Sequence, residues 1–259
     1  MTERKNIFAR LAGSKLVKNS FWGIAANGLQ SILLSLFFVI LARKYSKPEF
    51  ATFLIANTIY LLLAPISTLG LGQWFTREVV KLKDSTELVN KFLKMQLFSG
   101  LFFYLVNVAL AWILYDDPVI RQIALVLGIN IIFDNIIYAI RSLNVAQFKQ
   151  EKTFVILLAD SVLKFLASCV LFIYPVSTVL LSVMLIAVRF LTLNIFLVFG
   201  SSNSINIGKL LVYRVSFSEV KKIVAPNWAF IVIGSVSIIF WRIGNIIISK
   251  MLTDDDVAN

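Results

Sequence analysis

Residues 153–200 are TFVILLADSVLKFLASCVLFIYPVSTVLLSVMLIAVRFLTLNIFLVFG, two apolar runs separated by Tyr174 and Pro175. A bilayer core about 30 Å thick is crossed by roughly 20 helical residues, and each run has about that length. Proline cannot continue a helix, so it marks a tight connection between the two runs. This stretch therefore predicts two consecutive membrane-spanning helices.

The whole chain has the same apolar character. It contains 259 residues, of which 59% are hydrophobic and 15% charged, with a mean hydropathy of +0.85. These values lie outside the composition of soluble domains, so the sequence predicts an all-α, polytopic membrane protein. Apolar stretches bounded by charged or turn residues predict seven spans, at 18–42, 50–73, 95–115, 120–141, 153–174, 177–200 and 226–250.

The composition also excludes several kinds of site. The net charge is +11, but the basic residues are scattered over short loops between apolar spans, where they act as topology signals rather than as a nucleic-acid surface. Cys169 is the one cysteine, and histidine is absent. Neither a disulfide framework nor a Cys/His metal site is available, and we expect no cofactor, no catalytic site and no nucleic-acid partner.

The distribution of Lys and Arg predicts the orientation. Seventeen of the 25 lie on the side of the N-terminus, and five lie on the opposite side. Short loops rich in these residues stay in the cytoplasm, so the N-terminus is predicted to be cytoplasmic. The first apolar run, after Lys18, lacks a small-residue cleavage site and is predicted to be a retained helix.

The order of the spans predicts three parts. Residues 1–200 are expected to form a six-helix N-terminal transmembrane bundle. Residues 201–225 mix basic and apolar residues, as a cytoplasmic amphipathic linker does. Residues 226–259 contain a seventh span without a partner, and we interpret them as the first helix of a second, truncated bundle.

Five charged residues remain inside the predicted spans: Asp134, Asp160, Lys164, Arg189 and Arg242. A charge at the bilayer centre costs about 2.5–3.5 kcal/mol on insertion scales, so these side chains should face protein or water. Asp160 and Lys164 are four residues apart on one helical face, which allows either a local ion pair or a role in substrate or proton binding. Asp134 has two candidate partners, Lys164 and Arg189.

The three cations predict a basic cavity near the middle of the membrane. Lys164 and Arg189 lie near the centres of spans five and six, and Arg242 lies past the centre of span seven. Guanidinium groups bind phosphate oxygens through paired, charge-assisted hydrogen bonds, which suits a pyrophosphate or an anionic sugar. In the alternative, Arg189 and Arg242 cap carbonyls or extend toward the membrane surface, and no anion site exists.

Three segments resemble the N-terminal half of Wzx-type lipid-linked oligosaccharide flippases, which belong to the same exporter superfamily as MATE transporters. They are residues 41–50 (LARKYSKPEF), residues 69–72 (LGLG) with Arg77 and Glu78 following, and residues 242–257 (RIGNIIISKMLTDDDV). The resemblance follows the order and spacing of these segments. The sequence departs from the family at Ala51 and Ala258, where glycine is common, and at Gly244, where an acidic residue is frequent.

The resemblance implies a function and partners. The substrate would be an undecaprenyl-pyrophosphate-linked oligosaccharide, moved by alternating access from the cytoplasmic to the periplasmic leaflet of the bacterial inner membrane, for O-antigen or other surface polysaccharide biosynthesis. Arg189, Arg242 and Lys164 would contact the anion, while Asp160 and Asp134 would balance charge or couple an ion. Membrane lipids are further partners, and a polysaccharide polymerase and chain-length proteins are candidates.

Two other functions fit parts of the sequence. A MATE-like, cation-coupled antiporter of small organic molecules needs an excess of acidic cavity residues, whereas three cations accompany two carboxylates within the spans. A membrane-embedded polysaccharide polymerase or glycosyltransferase needs a sizeable loop with catalytic carboxylates or histidines. The predicted loops are short, so a transporter, and not an enzyme, is the favoured interpretation.

Overall fold

The computed structural model describes residues 15–200, 205 and 215–251. Eight α-helices account for nearly all of this part of the chain, with a short 3₁₀ turn after α6 and a π-helical turn after α7. The helices are α1 Lys15–Lys44, α2 Lys47–Ser67, α3 Gly72–Lys81, α4 Thr86–Leu114, α5 Pro118–Ala146, α6 Gln150–Cys169, α7 Thr178–Ile195 and α8 Phe217–Met251.

Within the described part of the chain, six helical segments are long and apolar enough to cross a membrane: Gly23–Lys44, Lys47–Lys81, Thr86–Leu114, Pro118–Ala146, Gln150–Phe172 and Thr178–Gly200. Two parts of α8, Ser218–Ala229 and Ile231–Phe240, meet at an angle of 63° and are long and apolar enough only when taken together. The predicted all-α, polytopic membrane fold is therefore confirmed.

Side chains on α4 show which surface faces lipid. Phe98, Leu101, Phe102, Leu105 and Ile113 are all exposed and recur at helical spacing along one face of this helix. A continuous apolar stripe of this kind is unfavourable in water and favourable against hydrocarbon. The outer face of α4 is therefore a lipid-facing surface.

The apolar core consists of two clusters at opposite ends of the bundle. The first cluster joins the α1–α2, α4–α5 and α6–α7 connections through Leu41, Phe53, Tyr115, Ile123, Leu171 and Leu181. The second cluster joins the other helix ends through Phe75, Phe92, Leu143, Ile156, Leu193 and Phe196. Since the three connections share one cluster, they lie at the same end, as the alternation of spans requires.

Local chemistry fixes the connections at the first-cluster end. The Ser46 N–H donates to Glu49 Oε2 at 3.0 Å at the start of α2, and the Val119 N–H donates to Asp117 Oδ1 at 2.7 Å at the start of α5. Both are side-chain caps for helix N–H groups that have no partner within their helix. The Tyr45 hydroxyl donates to the Val176 carbonyl at 2.8 Å and ties the α1–α2 turn to the α6–α7 turn.

Helix boundaries differ from the predicted spans in two places. α4 begins at Thr86 and α8 at Phe217, so each helix starts well before the apolar window that predicted it. Polar residues continue a helix beyond the membrane without cost, whereas hydropathy detects only the apolar part. Asp84 Oδ1 accepts the Thr86 N–H at 2.9 Å at the start of α4, and this bond lowers the pKa of the Asp84 carboxyl.

The predicted linker 201–225 and the segment after it are only partly described. Residues 201–204, 206–214 and 252–259 lie outside the described residues, so the amphipathic character of the linker stays a prediction. Residues 217–225 belong to α8, which packs along α2.

Pro65 marks the end of the first helix of the second span. It lies in the last turn of α2, which ends at Ser67. Leu69 and Gly70 then adopt positive φ angles of 55° and 60°, and α3 begins at Gly72. The span is therefore divided into two helices near the second cluster.

Candidate binding cavity in the middle of the bundle

A layer of polar side chains separates the two apolar clusters. Asp134 on α5 is at its centre: the Tyr60 hydroxyl on α2 donates to Asp134 Oδ2 at 2.6 Å, and Arg189 Nε on α7 donates to Asp134 Oδ1 at 2.6 Å. Arg189 Nη2 also forms an ion pair with Asp134 Oδ1. These bonds connect three helices through one carboxylate.

Asp160 on α6 is the second carboxylate of the layer. Its Oδ2 atom is 2.8 Å from Lys164 Nζ and 3.3 Å from Arg189 Nη1, and its Oδ1 atom accepts the Thr192 hydroxyl at 2.8 Å. The side chain is only 6% exposed. A buried carboxylate needs partners of this kind because desolvation of an unpaired charge is costly.

The structure shows how these charged side chains pair. Asp160 and Lys164 do form the local ion pair, and Asp134 pairs with Arg189 rather than with Lys164. Arg189 lies between both carboxylates and is 13% exposed, whereas Lys164 is 26% exposed. Arg189 is therefore largely neutralised, and Lys164 is the more accessible of the two cations.

Both cations line a cavity of about 380 Å³ beside the polar layer. Its walls come from α1, α5, α6 and α7, and its polar lining includes Asn27, Gln30, Ser31, Ser161, Lys164 and Arg189. The amide nitrogen of Gln30 is buried and has no hydrogen-bond partner among the described residues. A buried donor without a partner favours a ligand or water in the cavity.

Arg141 is a third cation in this cavity, and the sequence did not predict its role. It was counted with the cytoplasmic loop residues because the predicted span ended there, but α5 continues to Ala146. Its side chain is exposed to the cavity and forms no ion pair or hydrogen bond with any other described residue. The spacing of seven residues from Asp134, two helical turns, was a signal for a shared face.

Arg242, the remaining predicted contact, lies in α8, but its side chain is outside the described part of the structure. Its role stays a prediction. Among the described residues, no group of three or more His, Cys, Asp or Glu residues is arranged to hold a metal ion.

The charge of the site follows from these groups. Arg141, Lys164 and Arg189 carry three positive charges, against two negative charges on Asp134 and Asp160. Among the described residues, Arg141 has no ion-pair partner, and Lys164 shares Asp160 with Arg189. An anionic group that enters the cavity would meet the guanidinium of Arg141 and the partly exposed ammonium group of Lys164.

The comparisons with known proteins agree with this architecture. Residues 16–259 match the family model described as polysaccharide biosynthesis protein. The chain belongs to this family. No curated protein matches it.

A solved structure of a MOP superfamily transporter from Pyrococcus furiosus Vc1 (DSM3638) has the same fold as this polysaccharide biosynthesis protein, with a TM-score of 0.66 at 13% sequence identity. The likeness covers 87% of this chain and 52% of the transporter, so this chain spans about half the length of that protein. The family is thus that of polysaccharide biosynthesis proteins, and the fold is shared with this multi-pass membrane protein.

Proposed function

We propose that this chain is the N-terminal portion of a flippase. The flippase moves an undecaprenyl-pyrophosphate-linked oligosaccharide from the cytoplasmic to the periplasmic leaflet by alternating access, for O-antigen or another surface polysaccharide. The observation that carries the proposal is the positively charged cavity in the middle of an apolar bundle. The match to a family of polysaccharide biosynthesis proteins supports the class of substrate.

In this proposal the cavity holds the pyrophosphate while the prenyl chain stays in the bilayer. Arg141 and Lys164 make the first contacts, because Arg141 has no partner among the described residues and Lys164 is partly exposed. Arg189 and Arg242 add further contacts. Asp160 and Asp134 hold the cations in place while the cavity is empty, and they balance charge or couple an ion during transport.

A change of ion-pair partner at Arg189 would couple the binding of a phosphate group to the arrangement of the helices. Arg189 links α5 and α6 to α7 through its two carboxylates. A phosphate oxygen that competes for Arg189 weakens these links, so the bound and empty states favour different helix arrangements. Alternating access requires such a difference in affinity between two arrangements.

The orientation and the wider organisation are part of the proposal. The N-terminus lies in the cytoplasm, and the protein resides in the bacterial inner membrane. Residues 1–200 form the N-terminal bundle, 201–225 a cytoplasmic linker and 226–259 the first span of a second bundle. The polymerase and the chain-length proteins of the same polysaccharide are proposed partners.

Single substitutions in the full-length protein test the cation roles. Arg141→Gln and Lys164→Gln each remove a charge that faces the cavity, and Arg43→Gln removes an exposed charge at the far end of α1. A hydrogen bond to a charged group contributes about 1.5–3 kcal/mol, so we expect export of surface polysaccharide to fall about tenfold or more in the first two variants. Arg43→Gln should export normally.

Protein level in the membrane must be measured in each strain, so that loss of the transporter is not taken for loss of transport. Arg189→Ala and Arg242→Ala, assayed in the same strains, test the two further contacts. Normal export at normal protein level in all four cavity variants would contradict the anion-binding role.

A further inference from the structure

A second recess lies between α3 and α5, near the second apolar cluster. It has a volume of about 580 Å³, and its polar lining comes from Gln73, Thr76, Arg77, Tyr138, Arg141 and Ser142. Arg141 lines both this recess and the central cavity. The recess is therefore separate from the central cavity but adjoins it at one guanidinium group.

The lining of the recess includes two arginines, Arg77 and Arg141. Among the residues that the structure describes, neither Arg77 nor Arg141 forms an ion pair or a hydrogen bond. The nearest carboxylate along the chain, Glu78, is already bound to Lys81 at 2.7 Å. Asp134 and Asp160 are held by Arg189 and Lys164. An anion that enters the recess would therefore find two guanidinium groups in its lining.

Packing between α3 and α5 brings these two residues together. The Thr76 hydroxyl donates to the Ser142 carbonyl at 3.2 Å. Arg77 directly follows Thr76 in the chain, and Arg141 directly precedes Ser142. The Gly72 N–H donates to the Tyr138 hydroxyl at 2.7 Å at the start of α3. The helices are thus joined at two points, and both arginines extend from the joined segment.

Neutral donors complete the lining. The Gln73 side chain is exposed to the recess, and its amide is not engaged by any described residue. Guanidinium groups bind phosphate oxygens in a bidentate manner. The Gln73 amide would donate a further hydrogen bond to the same phosphate group from another direction. This set of donors matches a phosphate or pyrophosphate group better than a carboxylate, since phosphate offers more oxygens in more directions.

We propose that the recess is a second anion subsite. It binds the phosphate groups of a lipid at the end of the bundle that contains the second apolar cluster. Its link to the central cavity through Arg141 allows a phosphate group to pass from one to the other. This transfer rests on the proposed function, whereas binding in the recess does not. A lipid-linked substrate and an anionic phospholipid both supply the required phosphate group.

Binding measurements on the full-length protein in neutral detergent test the subsite, with farnesyl pyrophosphate as the probe. The wild-type protein should bind two equivalents, one in each site. Arg77→Gln should lose one binding event or weaken it about tenfold, and Lys164→Gln should affect only the other event. Arg77→Lys should be intermediate because an ammonium group cannot bind in a bidentate manner. The matched control is Arg43→Gln, an exposed arginine at the other end of the bundle.

Native mass spectrometry with phosphatidylglycerol distinguishes the two sources of phosphate. If Arg77→Gln loses retained phosphatidylglycerol but keeps both farnesyl pyrophosphate events, the subsite is a phospholipid site. If Arg77→Gln matches Arg43→Gln with both probes, the subsite is overturned. The proposed function would still hold after that second result if Lys164→Gln and Arg141→Gln lower the export of surface polysaccharide as expected.

Discussion

Asp134 is the residue on which the polar layer depends most. It accepts from Tyr60 and Arg189, and its side chain is 13% exposed. Removal of one partner from a buried ion pair leaves an uncompensated charge, which costs about 3–5 kcal/mol. The Asp134–Arg189 pair therefore contributes to the stability of the bundle as well as to the charge of the cavity.

We predict that Asp134→Asn destabilises the protein by an amount in that range. Asn keeps the size of the side chain but removes the negative charge opposite Arg189. The measurement is thermal unfolding of the full-length protein in detergent. Asp116→Asn is the matched control, because Asp116 is fully exposed and pairs with Arg121 at 3.2 Å, and a surface pair contributes about 0–1 kcal/mol. Equal melting temperatures for the two variants would contradict this prediction.

Sequence reasoning reached some of these residues and missed others for a physical reason. The Asp160–Lys164 pair follows from a spacing of four on one helix. The Asp134–Arg189 pair joins helices 55 residues apart, and only packing decides it. Arg141 is the last residue of the predicted span 120–141, and a basic residue at the end of an apolar run has the same pattern as a topology signal.

At the scale of elements, the contact between α3 and α5 depends on Gly72. A Cβ atom at this position would collide with the Tyr138 hydroxyl and lie 2.8 Å from Ser142 Oγ. Gly72 is buried, so the neighbouring groups have little room to move. A larger residue there would force α3 away from α5 and disturb the recess between them.

We predict that Gly72→Ala costs about 1–3 kcal/mol, the usual range for overpacking. Gly28→Ala on α1 is the control, because a Cβ there meets nothing within 4 Å. Tyr138→Phe removes the hydroxyl that collides, so it should restore part of the stability lost in Gly72→Ala. Thermal unfolding of the single and double variants checks this. A Gly72→Ala protein as stable as Gly28→Ala would refute the close contact.

The helices themselves were predictable, but their ends were not. Six apolar stretches predicted the six helical segments that are long enough to cross a membrane, since hydropathy records the requirement of the bilayer directly. The predicted spans leave residues 74–94 between them, although α3 extends from Gly72 to Lys81 and the first turns of α4 include Lys91 and Lys94. Their polar residues carry no hydropathy signal, and their helical structure depends on packing against α5 and on the cap at Asp84.

The molecule as a whole must have one orientation in the membrane. The six spans place Lys83, between α3 and α4, and Asp116, between α4 and α5, on opposite sides. We predict that Lys83 is cytoplasmic and Asp116 periplasmic, because the Lys and Arg excess lies on the side of Lys83.

Cysteine labelling in intact cells checks the orientation. With Cys169→Ser as background, Asp116→Cys should react with a membrane-impermeant maleimide and Lys83→Cys should react only after the cells are opened. The reverse pattern would show that the N-terminus is periplasmic, and the direction of transport in the proposal would then be wrong.

The central claim is that the positive cavity carries a pyrophosphate-linked lipid across the membrane. Its most direct test is the rate at which the full-length protein, reconstituted in liposomes, moves an undecaprenyl-pyrophosphate-linked oligosaccharide between leaflets. We predict that Arg141→Gln combined with Lys164→Gln lowers this rate at least about tenfold, while Arg43→Gln does not change it. A double variant that moves the lipid as fast as Arg43→Gln would contradict the claim.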